Sequence, residues 1–159
     1  GLDQGLAEEG PFAPIPSWWL PLPVVSTGLV LIQCIVGASM ASQWAVDQCF
    51  ASGELCEWVL RHRQLAGAAS FSVGALAVGA LLLIRTDLPI RALAVSAAAL
   101  VALQITLGVL TLRAQLQLPV LTMAHQLVAA LLVAHLGALC GRSLRAWRPA
   151  SSPMEVRCG

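Results

Sequence analysis

Four stretches of the sequence are long, apolar and almost free of charge, and they decide what the chain can fold into. They cover about residues 21–45, 64–84, 92–112 and 119–140. Each reaches the roughly 20 residues that a helix needs to cross the hydrocarbon core of a bilayer. The whole chain is 58% hydrophobic and 11% charged, whereas a soluble domain averages about 25% charged residues. The sequence therefore predicts an all-α membrane protein, a bundle of four transmembrane helices.

The placement of arginine predicts the orientation of this bundle. All nine basic residues are arginines, and six of them flank the loop after the second span or follow the fourth span: Arg85, Arg91, Arg142, Arg145, Arg148 and Arg157. The other three, Arg61, Arg63 and Arg113, lie at the opposite ends of the spans. Because cytoplasmic loops carry the excess of positive charge, we expect both termini in the cytoplasm.

The regions outside the spans divide the chain into three parts. Residues 1–17 are acidic and contain prolines, which predicts a linker or tail. Residues 18–145 form the transmembrane domain, with Trp18 and Trp19 expected at the membrane interface. Residues 146–159 are expected to be an unstructured tail on the cytoplasmic side. Within the spans, small residues such as Gly74 and Gly79 predict close approach of helix backbones.

Two parts of the chain resemble each other. The first and third spans share a pattern of Gln followed four residues later by Gly, VLIQCIVGA at 30–38 and VALQITLGV at 101–109. The segments that begin the following spans, RHRQLAGAA at 61–69 and MAHQLVAAL at 123–131, each carry a histidine near their start. The chain is therefore interpreted as two helical hairpins in tandem, each supplying one histidine.

The repeat predicts that His62 and His125 face each other across a pseudo-twofold axis. His125 is expected to lie about four residues deeper, roughly 6 Å along the helix. Ionisable groups inside a span are costly and usually functional, helix bundles hold cofactors in their cores, and haem iron accepts axial histidine. We predict that the pair ligates a haem b; an interfacial histidine bonded to a carbonyl is the alternative. Gln33 and Gln104 are expected to form hydrogen bonds between helices.

Roles are also predicted for His135, Arg61 and Arg63. His135 lies ten residues beyond His125, which rotates it by about 80° and places it roughly 15 Å deeper. It is expected to form a structural hydrogen bond, or to contact a propionate or a partner, rather than to share the iron. Arg61 and Arg63 flank His62 and are candidates either for binding haem propionates or for anchoring the helix at the interface.

A cysteine pair lies in the predicted outer loop, CFASGELC, which contains Cys49 and Cys56. An oxidising exterior favours a disulfide between them. The spacing is not that of a zinc site. Such a disulfide would either hold the loop in place or exchange reducing equivalents. Cys34 and Cys140 fall in spans, where a thiol behaves as a small apolar group.

The sequence combines a Q-x-x-x-G span, an outer cysteine pair, an HR dipeptide that opens the second span, and the segments LQITLGVLT and LPVLTMAHQLVAALL. This combination resembles the haem A synthase family. The resemblance covers about residues 24–141, and its most specific part contains His125. In that family two homologous four-helix halves form one protein. One half holds a haem b between two histidines, and the other binds the substrate haem O.

The resemblance implies that His62 and His125 are such a pair and that Cys49 and Cys56 are the outer-loop cysteines. The substrate-binding half is expected to carry a glutamate three residues before the HR histidine, where this chain has Val59. The resemblance is therefore to the cofactor half, either a C-terminal half joined by a linker or a half-size enzyme that acts as a homo-oligomer.

The activity implied by the resemblance is that of an oxidoreductase. It would support oxidation of the C8 methyl of haem O to the formyl of haem A, for assembly of cytochrome oxidase, with the haem b of this half passing electrons. The implied partners are haem O, an electron donor, haem O synthase and a thiol–disulfide oxidoreductase. The implied location is the plasma membrane or another energy-transducing membrane, with membrane lipid around the helices. The sequence shows no basic patch that would bind nucleic acid.

Three alternatives remain open at the level of sequence. A quinone-linked disulfide oxidoreductase is also a four-helix membrane protein with outer cysteines, but it typically uses CxxC and a second pair. A simple b-type cytochrome would bind haem with no link to haem O. A noncatalytic assembly subunit would have interfacial histidines and no chromophore.

Overall fold

A computed structural model describes residues 15–40, 57–84, 87–114 and 116–147. In these residues four long helices follow a 3-10 turn at Ser17–Trp19. They are α1 (Pro21–Met40), α2 (Glu57–Leu83), α3 (Leu88–Arg113) and α4 (Pro119–Ala146). All four are long and apolar enough to cross a membrane. The predicted all-α four-helix membrane fold is confirmed, and the chain is an integral membrane protein.

Several predicted features fall outside the described ranges. These are most of the N-terminal linker, most of the C-terminal tail, and the loop that carries Cys49 and Cys56. The predicted disulfide therefore stays a prediction.

The helices extend beyond the apolar spans that predict them. α2 begins at Glu57 rather than near residue 64, and α4 continues to Ala146 rather than ending near residue 140. Charged residues are tolerated at helix ends because the headgroup region hydrates them, so a purely apolar window underestimates helix length. At 1.5 Å per residue, the 27 residues of α2 measure roughly 40 Å, which matches a whole bilayer including its headgroups.

Local sequence fixes where α3 begins and how α3 connects to α4. Asp87 is the N-cap of α3 and accepts a hydrogen bond from the backbone N–H of Ile90 at 3.0 Å. At the other end, the N–H of Leu116 donates to the carbonyl of Thr111 at 3.1 Å, and Leu116 has a φ of 61°. α4 then starts with Pro119 in its first turn, a position that proline favours. This short connection makes α3 and α4 an antiparallel hairpin.

The helices pack as a ring in the order α1, α2, α3, α4, and α1 also packs against α4. Because successive helices are antiparallel, the bundle has two distinct halves. We call one the terminal half; its helix ends are Pro21, Leu83, Leu88 and Ala146. We call the other the histidine half; its helix ends are Met40, Glu57, Arg113 and Pro119.

The buried core lies in the terminal half. It contains large side chains from all four helices and from the turn before α1, among them Trp19, Val30, Val73, Leu76, Ile90, Leu132, Leu136 and Leu139. The described residues of the histidine half are 31–40, 57–68, 98–113 and 116–127. Among these residues, Thr111 is the one that is buried. The helices are thus closely packed in one half and loosely packed in the other.

The terminal half is closed by Trp19. Its ring is fully buried, and its indole N–H donates to the hydroxyl of Ser143 at 3.2 Å. Gly79 makes room for this ring, since a Cβ there would lie 3.3 Å from the indole. Gly74 has no atom within 4 Å of a Cβ position. The predicted backbone contacts at Gly74 and Gly79 are therefore wrong, and of the two tryptophans expected at the interface only Trp18 is exposed.

An ion pair joins two helices at the end of the terminal half. Asp87, which caps α3, accepts hydrogen bonds from Arg142 of α4, at 3.1 Å from Nε and 3.4 Å from Nη2. Asp87 is nearly fully buried, whereas Arg142 is partly exposed. One carboxylate thus both starts α3 and fixes α3 against α4.

The outer surface of the bundle is apolar. Large side chains such as Phe71 and Val120 are more than three quarters exposed, at 79% and 77%. Exposure of this degree is unfavourable in water but suits contact with lipid chains, which are as apolar as the side chains themselves. This surface agrees with the membrane assignment.

Candidate functional site

His62 of α2 is held by Gln33 of α1. The amide nitrogen of Gln33 lies 3.1 Å from Nδ1 and 3.1 Å from Nε2 of the imidazole. The same nitrogen donates to the backbone carbonyl of His62 at 3.0 Å. The glutamine therefore contacts both the ring and the backbone of the histidine, and it joins the two helices of the first hairpin.

His125 of α4 is contacted by Gln104 of α3, the residue that corresponds to Gln33 in the repeat. The amide nitrogen of Gln104 lies 3.2 Å from Nε2 of the imidazole. The prediction that Gln33 and Gln104 form hydrogen bonds between helices is confirmed. That their partners are the two histidines was not predicted.

A glycine one turn after each glutamine makes room for each ring. A Cβ at Gly37 would lie 3.0 Å from Cε1 of His62, and one at Gly108 would lie 3.1 Å from Cε1 of His125. Distances this short leave no space for a side chain without displacing the ring. Both hairpins thus contain the same unit of glutamine, glycine and histidine, which supports the repeat that the sequence predicts.

The two units lie in the same half of the bundle. His62 lies five residues after the first residue of α2, and His125 lies six residues after the first residue of α4. Counted from the helix starts, His62 and His125 differ by one residue. The apolar spans predict a difference of four, because α2 starts earlier than its apolar span. The rings are close enough to interact electrostatically, as expected if they face each other.

Buried polar atoms without hydrogen-bond partners are concentrated at this site. In the described residues they are Oε1 of Gln33, Oε1 of Gln104, Nδ1 of His125, Oγ1 of Thr122 and, in the terminal half, Nε of Arg91. A buried polar atom that lacks a partner costs about 1–3 kcal/mol. Four of these five atoms belong to the histidine half, which therefore has polar atoms able to bind a ligand.

Arg61 is engaged by side chains of its own helix. It forms an ion pair with Glu57, one turn earlier, and its guanidinium lies 6.0 Å from the centre of the Trp58 ring. These contacts favour the interface role for Arg61. Arg63 is exposed and forms no ion pair within the part of the chain that the structure describes.

His135 lies away from the pair. Its Nε2 is 2.7 Å from the hydroxyl of Ser96 in α3. That hydroxyl is also 2.7 Å from the carbonyl of Ala92, and it has one proton to donate. When it donates to Ala92, His135 donates its Nε2–H to Ser96. This bond between α3 and α4 is the structural role expected for His135.

The two cysteines within the helices are not part of the site. Cys34 and Cys140 are half-buried free thiols. The hydroxyl of Thr27 donates to the carbonyl of Pro23 at 2.7 Å, so the Cys140 thiol, 3.4 Å away, is the donor in its contact with Thr27. Both cysteines behave as the small packing groups that the sequence predicts.

Gly37, Gly108 and Thr122 are the residues of the site whose contacts the sequence did not indicate. The two glycines were visible as the end of the repeated Q-x-x-x-G pattern, but nothing in that pattern says what packs against them. Comparison of the chain with models of known protein families, with curated proteins and with solved structures finds no match.

Proposed function

We propose that the chain is a haem-binding membrane domain of the haem A synthase type, with His62 and His125 as the axial ligands of a haem b. The observation that carries this proposal is the pair of matched units in the histidine half. Each histidine belongs to a different hairpin, and each is held by a glutamine and a glycine of the neighbouring helix. The two rings are also close enough for an electrostatic interaction.

The donor set fits a haem better than a bare metal ion. Within the described residues no three His, Cys, Asp or Glu side chains are grouped to hold a metal. Two imidazoles are sufficient for haem, because the porphyrin supplies the other four nitrogens. His125 also has a buried ring nitrogen, Nδ1, that lacks a hydrogen-bond partner in the described residues.

The surroundings of the histidines suit an apolar, flat ligand. The histidine half has partly buried apolar side chains on all four helices: Val36, Val59, Leu65, Leu107, Leu112 and Leu121. They come from loosely packed helices and can close on a ligand that lies between the two hairpins. Cofactor sites of helix bundles are built in this way from inward-facing side chains.

A haem held by two imidazoles supplies one-electron transfer. His62 and His125 would hold the haem iron, one from each hairpin. The apolar side chains would exclude water and keep the site in a medium of low dielectric constant. The domain would hold and pass electrons, while oxidation of the haem O methyl would take place in a companion half or in another copy of the chain.

We further propose that both termini lie in the cytoplasm and that the loop between α1 and α2 lies outside, in the plasma membrane or another energy-transducing membrane. The terminal half carries Arg91, Arg142 and Arg145, with Arg148 and Arg157 following in the sequence. The histidine half carries Arg61, Arg63 and Arg113. The excess of arginine next to the terminal half supports this orientation.

The test of the haem site is the visible absorption spectrum of the detergent-purified protein, oxidised and reduced with dithionite. We expect the spectrum of a low-spin b-type haem in the wild type. His62→Ala and His125→Ala each remove an imidazole ligand. Loss of a group that only orients a metal ligand already lowers metal affinity about 10–100-fold. We therefore expect haem retention to fall at least about tenfold in each variant. Haem A formation from haem O in membranes that contain the loaded protein, and its loss in His125→Ala, then separates a synthase from a simple cytochrome.

His135→Ala is the matched control, since this histidine lies in the same helix as His125 and is bonded to Ser96 instead. It should keep the full haem content. A colourless wild type, after expression with sufficient haem, would refute the proposal. So would a His125→Ala variant with an unchanged spectrum.

A further inference from the structure

We infer that a groove on α4 binds an anionic phospholipid at the membrane interface of the terminal half. The lipid phosphate lies between Arg142 and Arg145, and the glycerol and the first part of the acyl chains lie over Ala138 and Gly141. This inference is independent of the proposed haem site, which lies in the other half of the bundle.

The groove is a cavity of about 300 Å³, and its described lining residues are Ala138, Gly141, Arg142 and Arg145. The last three lie three, four and seven residues after the first, which is the spacing of one face of a helix. Arg142 is partly exposed and the other three are exposed. This face of α4 is therefore turned away from the core of the bundle and towards the lipid.

The groove has a charged end and an uncharged end. Gly141 and Ala138 lie four and seven residues before Arg145 in α4, roughly 6 and 10 Å closer to the middle of the membrane. Trp18, next to the start of α1, and Trp147, at the end of α4, are 48% and 43% exposed. Because exposed tryptophans concentrate at the membrane interface, we place the arginines at the level of the headgroups. The uncharged end then reaches into the apolar layer.

The described residues of the terminal half carry an excess of positive charge. They include three arginines, Arg91, Arg142 and Arg145, and one acid, Asp87. Asp87 is paired with Arg142, and Arg145 has no ion pair within the described parts of the chain. This excess favours a lipid whose headgroup has a net negative charge over a zwitterionic lipid.

The two arginines of the groove are suited to a phosphate group. They are three residues apart, so their side chains are neighbours on the helix surface. A guanidinium stays charged and donates paired hydrogen bonds to phosphate oxygens. The bonds from Nε and Nη2 of Arg142 to Asp87, at 3.1 and 3.4 Å, hold this guanidinium in place, so less side-chain entropy is lost when a phosphate binds beside it.

The uncharged end of the groove favours a lipid over free phosphate. Free phosphate would contact only the arginines, whereas a phospholipid also covers Ala138 and Gly141, whose small side chains leave room for it. Basic pockets between transmembrane helices bind anionic headgroups in this way. With both termini in the cytoplasm, as proposed, the groove opens to the cytoplasmic leaflet, where anionic lipids are enriched.

The experiment is a titration of the detergent-purified protein with dioleoylphosphatidylglycerol or with dioleoylphosphatidylcholine, in which native mass spectrometry resolves each bound lipid. We expect the first phosphatidylglycerol to bind more tightly than phosphatidylcholine. Arg145→Gln should weaken its binding about fivefold, the factor that corresponds to about 1 kcal/mol for one arginine at an anionic surface. Arg91→Gln is the matched control, because it removes the same charge from the same half but does not line the groove. It should keep the wild-type affinity.

A second pair of variants tests the uncharged end. A Cβ at Gly141 or at Gly137 would meet no atom within 4 Å, so both positions accept a side chain, but only Gly141 lines the groove. Gly141→Leu should weaken the binding of phosphatidylglycerol, and Gly137→Leu should not. If Arg145→Gln does not fold, this pair decides.

Three outcomes would overturn the inference. Equal losses in Arg145→Gln and Arg91→Gln would show that the net charge of this half, and not the groove, attracts the lipid. Unchanged binding in Arg145→Gln would leave Arg145 as a charge that stabilises the end of a helix. Inorganic phosphate that displaces phosphatidylglycerol at equal concentration would identify the ligand as free phosphate.

Discussion

Each imidazole of the site lies against a glycine whose missing side chain leaves the space that the ring occupies. The separations from a Cβ position, 3.0 Å at Gly37 and 3.1 Å at Gly108, are below normal van der Waals contact. An added methyl group would therefore push the ring by a few tenths of an ångström. Because the ring is at the end of a flexible side chain, this displacement would affect the site more than the fold.

We therefore expect Gly37→Ala and Gly108→Ala to impair ligand binding without unfolding the protein. A helix gains up to about 1 kcal/mol from Gly to Ala, which offsets part of the steric cost. Haem release should be faster by roughly tenfold, the lower end of the effects seen for groups that orient metal ligands. The measurement is the rate of haem transfer to an excess of an apo-haemoprotein acceptor.

Gly28→Ala and Gly137→Ala are matched controls, since a Cβ at either position would meet no atom within 4 Å. Both should release haem at the wild-type rate. Equal acceleration in all four variants would mean that helix stiffness, and not contact with the imidazoles, controls release.

The histidines and glutamines of the site could be predicted from the sequence, because the repeat places the same residue types at matching positions. The contacts of Gly37, Gly108 and Thr122 could not be predicted from the sequence. Whether a glycine faces a ring, a backbone or lipid depends on the rotation of each helix about its axis, which small apolar residues do not specify. The same ambiguity explains why Gly79 contacts Trp19 instead of a helix backbone.

At the scale of the element, the start of α3 depends on one carboxylate. Asp87 caps the helix and binds Arg142 of α4. Asp87→Asn keeps a capping side chain but removes the charge, which should lower the free energy of unfolding by about 1.5–3 kcal/mol, the usual range for a hydrogen bond to a charged group. Asp87→Ala also removes the cap and should cost about 1 kcal/mol more. Reversible denaturation in mixed detergent micelles measures both.

The control for this prediction is the double variant with Arg142→Ala. If the two side chains stabilise the protein through each other, Asp87→Asn should cost clearly less in the Arg142→Ala background. Fully additive losses would show that Asp87 acts through the cap alone.

The helix boundaries show what hydropathy does and does not determine. The apolar spans locate the membrane-crossing part of each helix because every backbone polar group must be bonded within the bilayer. They do not locate the ends, which depend on caps and on charged residues at the headgroups. The early start of α2 at Glu57 is the difference that affects the site, since it places His62 within the helix.

For the molecule as a whole, the number and order of the helices could be predicted from the apolar spans. The division into a closely packed terminal half and a loosely packed histidine half was not predicted. It depends on how Trp19 inserts between α2 and α4, and the sequence alone favoured an interfacial position for this residue. The bundle is therefore stabilised mainly in the half that lies away from the site.

The proposed orientation is tested with the cysteines of the chain itself. In intact cells, after mild reduction, a membrane-impermeant maleimide should label a variant that retains only Cys56. A variant that retains only Cys158 should be labelled only after the membrane is permeabilised, because the arginine distribution places that end inside. The reverse pattern would invert the topology.

The matched units of Gln33, Gly37 and His62 and of Gln104, Gly108 and His125 have a stereochemical consequence. A flat ligand with two different faces meets nearly the same surface of glutamine, glycine and imidazole on either side. The preference for one face over the other must then come from residues outside the repeat, such as Trp58 on α2 and Thr122 on α4. We expect such a ligand to occupy the domain as two facial isomers related by a half-turn, in proportions that these few unmatched residues set.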